Sequence, residues 1–305
     1  MSIKPQSGAT RLRELLKDPK KMVVAPGVFD GISARLAIAA GFEAIYMTGA
    51  GTSMSRLGWA DLGMATLNDM AANAGMIAGL DRSIPVIADA DTGYGGPIMV
   101  TRTVEAYVRA GIAGMHLEDQ VQQKRCGHLL GKEIVDRDIY ATRIRAAVNA
   151  RNAMGSDMLI IARTDSRQTY GFDEAVARLK EAVTAGADVV FLEAAASKEE
   201  CENVVKIFHP VPCMLNMVPK GVTPDMSIKE AEGLGFRIMI FPALTFEASM
   251  AGSKEALRKL KDNGTQPLDN SAGMKEAFSV CGLAECIAID KAAGGRSFED
   301  VHGSL

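Results

Sequence analysis

The feature that most constrains the fold of this chain is a repeated pairing of a short apolar run with a helical stretch. The apolar runs lie at 22–27, 44–49, 85–91, 114–119, 158–165, 188–194, 212–217 and 237–243. A run that is apolar throughout is typical of a parallel strand buried on both faces. Amphipathic stretches such as DEAVARLKEAVTAG lie between most of them. Eight βα units of this kind predict a (β/α)8 barrel, with an open doubly wound sheet as the alternative.

The chain is longer than such a barrel requires. We expect the barrel to cover about 22–263, with its eighth helix over 245–263. The stretch KEAFSVCGLAECIAIDKAAG then predicts one more helix, which must bury its apolar face somewhere else. The sequence therefore predicts a single barrel domain over 1–305 whose C-terminal extension, about 264–305, packs on a partner subunit.

Composition narrows the class of function. The net charge is −3 and the charged residues are spread along the chain, which argues against a nucleic-acid surface. No apolar run is long enough to span a bilayer, and the N-terminal stretch lacks the apolar core of a secretory signal. The five cysteines are odd in number and form no C-x-x-C pair, which disfavours disulfides and structural zinc. We expect a cytoplasmic protein, with a mitochondrial location as the alternative.

Polar side chains collect where the predicted strands end. The carboxyl ends of barrel strands converge on one mouth, so polar residues at six strand ends predict an active site there. These residues are Tyr46 and Thr48, Asp89 and Asp91, Glu118 and Asp119, Arg163 and Asp165, Glu193, and Asn216.

The acids among them predict a metal site. Asp89 and Asp91 are two residues apart on a predicted strand, which would direct both carboxylates to the same side. Two carboxylates so close repel each other unless a proton or a cation lies between them. Glu118 and Asp119 add oxygen at the next strand end, and an all-oxygen cluster favours Mg²⁺ or Mn²⁺ over a plain acid pair. His116, inside a strand, is expected to be a packed residue with no role.

Two further segments carry candidate chemistry. KRCGH (124–128) places Cys126 between cations and His128. Positive charge favours the thiolate, so Cys126 could be a nucleophile or an acid/base, with an inactive loop cysteine as the alternative. The surrounding stretch, 120–136, is long for a strand-to-helix connection, as active-site lids often are. In YMTGAG (46–51), small residues leave backbone N–H groups open to a carboxylate, unless they only form a tight turn.

In order along the chain, DADTGYGG, HLEDQ with KRCGH, ARTD and FLEA resemble motifs of the isocitrate lyase/phosphoenolpyruvate mutase superfamily. The resemblance covers about 22–245 and is greatest to short-chain members such as 2,3-dimethylmalate lyase, 2-methylisocitrate lyase and oxaloacetate acetylhydrolase. It implies a (β/α)8 barrel that binds Mg²⁺, or Mn²⁺, and a small dicarboxylate. It also implies a homotetramer whose extra C-terminal helix is swapped between subunits.

The resemblance assigns roles to individual residues. The metal site it implies consists of Asp91, with Asp89 and Glu118 around its water shell and Asp61 of GWADLG closing over it. The substrate contacts it implies are Thr48, Gly49, Ala50, Lys124, Arg125, Gly127, Asn216 and Pro242. The catalytic residues it implies are Tyr46, Cys126, His128, Arg163 and Glu193.

The cysteine distinguishes branches of the superfamily, because the phosphonate-converting branch generally lacks it. Carbon–carbon cleavage leaves an enolate-like carbanion that needs a proton, so the resemblance makes Cys126 a general acid carried by the lid. Hydrolases of oxaloacetate carry a serine where this chain has Pro242. In 2-methylisocitrate lyases a polar residue lies near the position of Leu244, which is apolar here.

The resemblance, with Cys126 present and with Pro242 and Leu244 in place of polar residues, predicts a Mg²⁺-dependent lyase. Its substrate would be a 2-hydroxy dicarboxylate of the 2,3-dimethylmalate or 2-methylisocitrate type, and its products pyruvate and a carboxylate. Oxaloacetate hydrolysis is the alternative, followed by cleavage or rearrangement of a phosphonate.

Overall fold

The computed structural model describes residues 6–127, 129–265 and 273–296. Within them, parallel strands form a closed barrel in chain order, in which each strand pairs with the next and the last pairs with the first. The strands are β1 (Val23–Val28), β2 (Ile45–Met47), β3 (Val86–Asp89), β4 (Gly114–Leu117), β5 (Leu159–Thr164), β6 (Val189–Leu192), β7 (Cys213–Asn216) and β8 (Ile238–Phe241). The predicted barrel and its eight strands are confirmed, and the open sheet is excluded.

Helices surround the barrel, and most of them connect consecutive strands. They are α1 (Gly8–Leu15), α2 (Gly31–Ala39), α3 (Gly49–Leu57), α4 (Leu67–Leu80), α5 (Pro97–Ala110), α6 (Arg137–Ala153), α7 (Arg167–Tyr170), α8 (Phe172–Thr184), α9 (Lys198–Phe208), α10 (Ile228–Leu234), α11 (Leu244–Asn263), α12 (Gly273–Val280) and α13 (Leu283–Ala292). Local sequence sets several of their starts. Thr66, for example, caps α4 in a capping box with Asp69.

Side chains alternate between two cores along each strand. In β5, Leu159 and Ile161 lie in the cluster inside the barrel, whereas Ile160 and Ala162 pack against the helices. Arg163 continues the inward series and therefore points into the mouth of the barrel. The same spacing leads from inward apolar residues to inward polar ones: Ile87 to Asp89, Phe191 to Glu193, and Met214 to Asn216.

Helix α1 closes the amino-terminal end of the barrel. Leu12 is fully buried and belongs to the same inner cluster as Val23 and Leu159. The interior is thus a packed core, and the polar groups lie at the carboxyl ends of the strands, where barrels of this type place their sites.

The C-terminal extension contains two helices where one was predicted. Gly282 separates α12 from α13 with a φ of 85°, a left-handed conformation that suits glycine and interrupts a helix. Helices α11, α12 and α13 bury no residue in the single chain. Exchange of this extension between subunits stays a prediction. In the part of the chain that the structure describes, no helix is long and apolar enough to cross a membrane.

Candidate active site

The carboxyl ends of β3 and β4 bring together a buried group of carboxylates. Asp89 is the last residue of β3, Asp91 lies two residues further on, and Glu118 directly follows β4. None of the three is more than 5% exposed. Burial raises the pKa of all three, to about 7 for Asp91, because a charged carboxylate loses its water there.

Two expectations about these acids are wrong. Asp91 lies beyond the strand with a φ of 46°, so Asp89 and Asp91 do not share one strand face; instead the Asp91 backbone N–H donates to Asp89 Oδ1 over 2.9 Å. The Asp119 side chain points away from the barrel interior, so it adds no oxygen to the group of buried carboxylates. It accepts hydrogen bonds from Thr164 Oγ1 over 2.6 Å and from the Asp165 backbone N–H over 2.8 Å. Asp119 therefore fixes the end of β5.

Lys124 connects the segment 120–136 to these acids. Its Nζ lies 2.6 Å from Oδ1 of Asp61 and 2.6 Å from Oδ1 of Asp91. Burial disfavours the charge on Lys124, but the two carboxylates outweigh it and raise the Lys124 pKa well above its ordinary value. The structure thus brings Asp61 to the acids, and it places Lys124 among the residues predicted to hold a metal.

The donor chemistry of this group fits a hard divalent cation. In the described ranges no three His, Cys, Asp or Glu side chains form a closed cage for a metal. Asp61 and Asp91 nevertheless contact the Lys124 ammonium, and Glu118 and Asp89 lie close enough to raise its pKa. Oε2 of buried Glu118 has an ion pair with Arg163 but accepts no hydrogen bond from the described residues. Mg²⁺ and Mn²⁺ are held in this manner, by few carboxylates with water and substrate completing the shell.

Helix α3 begins beside the acids with two small residues. Thr48 is its N-cap, and Thr48 Oγ1 accepts a hydrogen bond from the Gly51 N–H over 3.3 Å. A Cβ on Gly49 would overlap the Asp89 carboxylate, so only glycine allows this close approach. The N–H groups of Gly49 and Ala50 lie in the first turn, which has no partners within the helix, and such groups bind carboxylates well.

Arg163 lines the pocket next to these acids. Its Nε lies 2.8 Å from Asp165 Oδ2 and 3.3 Å from Glu118 Oε2, and its Nη2 lies 3.5 Å from Glu193 Oε2. Asn216 Nδ2 donates to both oxygens of Glu193, over 3.2 and 3.1 Å. Burial opposes the charge on Arg163, but Asp165 and the other acids raise its pKa, so it stays protonated. A buried guanidinium of this kind suits a carboxylate ligand.

His116 contributes to the pocket, although no role was expected for it. It is fully buried, and its Nε2 lies 2.8 Å from Tyr46 Oη while its Nδ1 lies 3.5 Å from Asp89 Oδ1. Burial lowers the His116 pKa well below its ordinary value, so the ring is neutral. Burial also raises the Tyr46 pKa, so the phenol keeps its proton. His116 therefore fixes the Tyr46 hydroxyl beside Asp89.

The segment 120–136, called the lid below, lies over this pocket. A Cβ on Gly127 would lie 2.5 Å from Arg163 Nη2 and 3.0 Å from Glu193 Cγ, so the lid backbone rests directly on both side chains. Cys126, the preceding residue, is half-buried. Arg125, a predicted substrate contact, is instead exposed, and its Nη1 donates to the Leu130 carbonyl over 3.1 Å.

Pro242 and His128 are the two remaining predicted site residues. Pro242 directly follows β8 and is half-buried, and its carbonyl would overlap a Cβ on Gly27. His128 lies outside the described residues.

The lid also contains polar residues that the sequence analysis did not single out. Gln120 and Lys132 are buried, and Lys132 pairs with Asp165, which was noted only as a polar strand end. The one sequence signal for Gln120 is its place in HLEDQ, directly after the acids of the fourth strand.

The sequence profile of the phosphoenolpyruvate phosphomutase family matches residues 12–261, which span the whole barrel. The chain belongs to the phosphoenolpyruvate mutase/isocitrate lyase superfamily. The superfamily predicted from the motifs is therefore confirmed. Enzymes of this superfamily are in general metal-dependent.

Two relatives in the superfamily are lyases. The 2,3-dimethylmalate lyase of Eubacterium barkeri is 42% identical over 277 residues, covering 90% of this chain and 94% of its own. The 2-methylisocitrate lyase of Aeropyrum pernix is 43% identical over 273 residues, covering 89% of this chain and 86% of its own.

Solved structures of the superfamily share the same fold. A crystal structure of 2,3-dimethylmalate lyase superimposes with a TM-score of 0.95 at 54% identity, covering 98% of this chain and 99% of its own. Oxaloacetate acetylhydrolase in complex with 3,3-difluorooxalacetate superimposes with a TM-score of 0.95 at 49% identity, covering 97% of this chain and 100% of its own.

Proposed function

We propose that this chain is a Mg²⁺-dependent carbon–carbon lyase that cleaves a 2-hydroxy dicarboxylate to pyruvate and a second carboxylate. The substrate class, 2,3-dimethylmalate or 2-methylisocitrate, is that of the relatives with 42% and 43% identity. The observation that carries the proposal is the lid contact: Gly127 rests on Arg163 and Glu193, and Cys126 precedes it. A thiol at this place suits donation of a proton to the fragment bound at Arg163.

The acids and the first turn of α3 bind the end of the substrate that becomes the 2-oxo acid. Asp91, Asp89 and Glu118 would hold the cation, which when bound supplies positive charge to the oxygens of that end. The backbone N–H groups of Gly49 and Ala50 bind its carboxylate.

Bond cleavage then needs a base at one end and an acid at the other. The 2-hydroxyl proton passes to Asp89, whose pKa is raised by burial, while Tyr46 stays protonated and acts as a hydrogen-bond donor. The C2–C3 electron pair moves to C3 and into the adjacent carboxylate, which Arg163 stabilises by its charge. The Cys126 thiol gives its proton to C3. After the products leave, the thiolate regains a proton from solvent and Asp89 releases the one it took from the 2-hydroxyl.

Hydrolysis of oxaloacetate is the second candidate, because an oxaloacetate acetylhydrolase shares 49% of its residues with this chain. Pro242 argues against it. This residue follows β8, where the hydrolases are expected to carry a serine, and a proline offers no hydroxyl to orient the substrate. Cys126 argues against phosphonate chemistry, since that branch generally lacks the cysteine.

A substrate panel tests the proposal. Pyruvate release from 2,3-dimethylmalate, other 2-alkylmalates and 2-methylisocitrate is followed with lactate dehydrogenase and NADH, and oxalate release from oxaloacetate by chromatography. We expect pyruvate from at least one dicarboxylate, with kcat/KM about 100-fold above that for oxalate formation. Oxalate as the main product would establish the hydrolase instead, and turnover of phosphonopyruvate alone would establish the phosphonate chemistry.

The affinity for Mg²⁺ should increase with pH. Burial raises the Asp91 pKa to about 7, and only the deprotonated carboxylate binds the cation, so a proton competes at lower pH. The dissociation constant should fall by up to about tenfold per pH unit below pH 7 and level off above it. Titration calorimetry from pH 6 to about 8.5 measures it. Asp91→Asn should bind Mg²⁺ more weakly and with a shallower pH dependence, because Asp89 and Glu118, whose pKa values burial also raises, remain. A flat wild-type profile would contradict the assignment.

We also propose a homo-oligomer, a tetramer in which the C-terminal helices are exchanged. Helices α11, α12 and α13 expose several large apolar side chains: Met250, Leu257, Leu260, Met274, Phe278 and Ile289. Large apolar side chains exposed in this number are typical of a subunit interface. Light scattering should give about four times the 32.4 kDa of one chain, and removal of residues 264–305 should lower that mass. A monomeric full-length chain would exclude the exchange.

The cytoplasmic location of the protein stays a prediction.

A further inference from the structure

Two buried polar side chains hold the backbone on either side of Cys126. Gln120 lies at the start of the lid and Lys132 in its second half, and they are 0% and 4% exposed. Each bonds the lid main chain at a residue adjacent to Cys126, Gln120 at Arg125 and Lys132 at Gly127. The catalytic scheme above uses neither of them.

The Gln120 side-chain amide forms hydrogen bonds with both the N–H and the carbonyl of Arg125. Its Nε2 donates to the Arg125 carbonyl over 2.9 Å, and its Oε1 accepts from the Arg125 N–H over 3.0 Å. The same Nε2 also donates to Glu118 Oε1 over 2.9 Å. One amide therefore joins the residue before Cys126 to an acid of the predicted metal site.

Lys132 makes an equivalent connection on the other side. Its Nζ donates to the Gly127 carbonyl over 2.6 Å and to Asp165 Oδ1 over 2.9 Å. Asp165 in turn accepts from Nε and Nη2 of Arg163, over 2.8 and 3.0 Å. One ammonium therefore joins the residue after Cys126 to the guanidinium that would bind the substrate.

We propose that Gln120 and Lys132 are positioning residues that aim the Cys126 thiol at the substrate, an inference that rests on the proposed role of Cys126 as proton donor. A cysteine in a loop whose backbone is not held would have many orientations. Fixing the peptide groups on both sides restricts them, and misplacement of a catalytic group by about 1 Å can cost about 100-fold in rate. The bonds to Glu118 and Asp165 connect this restraint to the predicted metal site and, through Asp165, to Arg163.

The test compares Gln120→Met and Lys132→Met, which keep the side-chain length but remove the hydrogen bonds, with Lys132→Arg, which restores a cation. Glu133→Gln, an exposed neighbour on the same segment, is the matched control. The first readout is the rate at which iodoacetamide alkylates Cys126 in the protein without substrate, measured by mass spectrometry of its peptide. The second is kcat and KM with the best substrate of the panel.

Both Met variants should alkylate at Cys126 at least about tenfold faster, since the lid is no longer held on both sides. Their kcat should fall about 10- to 100-fold while KM changes less than about threefold, because binding groups remain in place. Lys132→Arg should recover part of both effects, and Glu133→Gln should match the wild type.

The inference is overturned if folded Gln120→Met and Lys132→Met alkylate at wild-type rate, or if they lose thermal stability without a change in either readout. The two side chains restrain different peptide groups, so a failure of one variant to fold leaves the other to decide. The alkylation readout needs no substrate. Failure of the proposed lyase activity would therefore appear in the panel alone, whereas failure of the positioning role would appear in the alkylation rates.

Discussion

Replacement of Cys126 by serine should lower kcat by about 10³-fold while leaving substrate binding nearly unchanged. The two side chains have almost the same shape, so the lid contact of Gly127 with Arg163 and Glu193 should persist. A hydroxyl is a much weaker acid than a thiol, so it cannot supply the proton that the carbanion needs. Pyruvate release measures the turnover, and titration calorimetry measures the dissociation constant, which should stay within about threefold.

The matched control is Cys286→Ser, an exposed cysteine on α13 that lies outside the barrel. It should keep the wild-type kcat. If Cys126→Ser retained most of its turnover, another group would have to be the proton donor, and the lyase mechanism would lose its acid. If instead binding failed together with turnover, Cys126 would be a binding residue.

The barrel could be predicted because its strands are buried on both faces. Such strands are apolar throughout, and a glycine often separates each from the preceding helix, so their order and number can be recognised without any contact information. Most predicted runs extend one or two residues beyond an end of the observed strand. At the carboxyl ends, polar residues such as Asp91, Asp119 and Asp165 belong to the loops. The break at Gly282 was missed because the flanking residues favour a helix on both sides.

The site was predictable where it follows the two-residue register of the strands. Asp89, Arg163, Glu193 and Asn216 all continue inward series. The same rule applies to the end of β4. Glu118 lies two residues after inward-facing His116 and also points inward, whereas Asp119 points outward and contacts Thr164 and Asp165. Applied to the sequence, it would have assigned His116 to the pocket and removed Asp119 from the metal site.

The remaining contacts depend on tertiary structure. The position of Asp91 follows from a left-handed backbone and a hydrogen bond to Asp89, which no local pattern specifies. The pairing of Lys132 with Asp165 joins residues 33 positions apart, through the path of the lid over the pocket. Exposure likewise separates Arg125 from Lys124, although the two are adjacent cations in the same motif.

Arg163 connects the metal site to the lid. It contacts Glu118 of the predicted metal site, Asp165, which pairs with Lys132, and Glu193 beneath the lid. Arg163→Met should therefore abolish measurable turnover and also destabilise the fold. Removing one partner of a buried ion pair costs about 3 to 5 kcal/mol, which corresponds to a loss of about 5 to 15 °C in Tm. Calorimetry measures the Tm, and pyruvate release measures kcat/KM, which should fall at least about 10³-fold.

Two further variants separate the charge of Arg163 from its geometry. Arg163→Lys keeps a cation among the acids and should recover much of the Tm, but a single ammonium cannot pair with a carboxylate through two parallel bonds, so turnover should stay low. Arg167→Met is the matched control, since Arg167 pairs with Glu200 through the same two-bond geometry, over 3.0 and 2.9 Å, away from the pocket acids. It should cost no more than about 1 kcal/mol and leave kcat unchanged. Full activity in Arg163→Lys would show that charge alone suffices and that the guanidinium does not bind the substrate carboxylate as proposed.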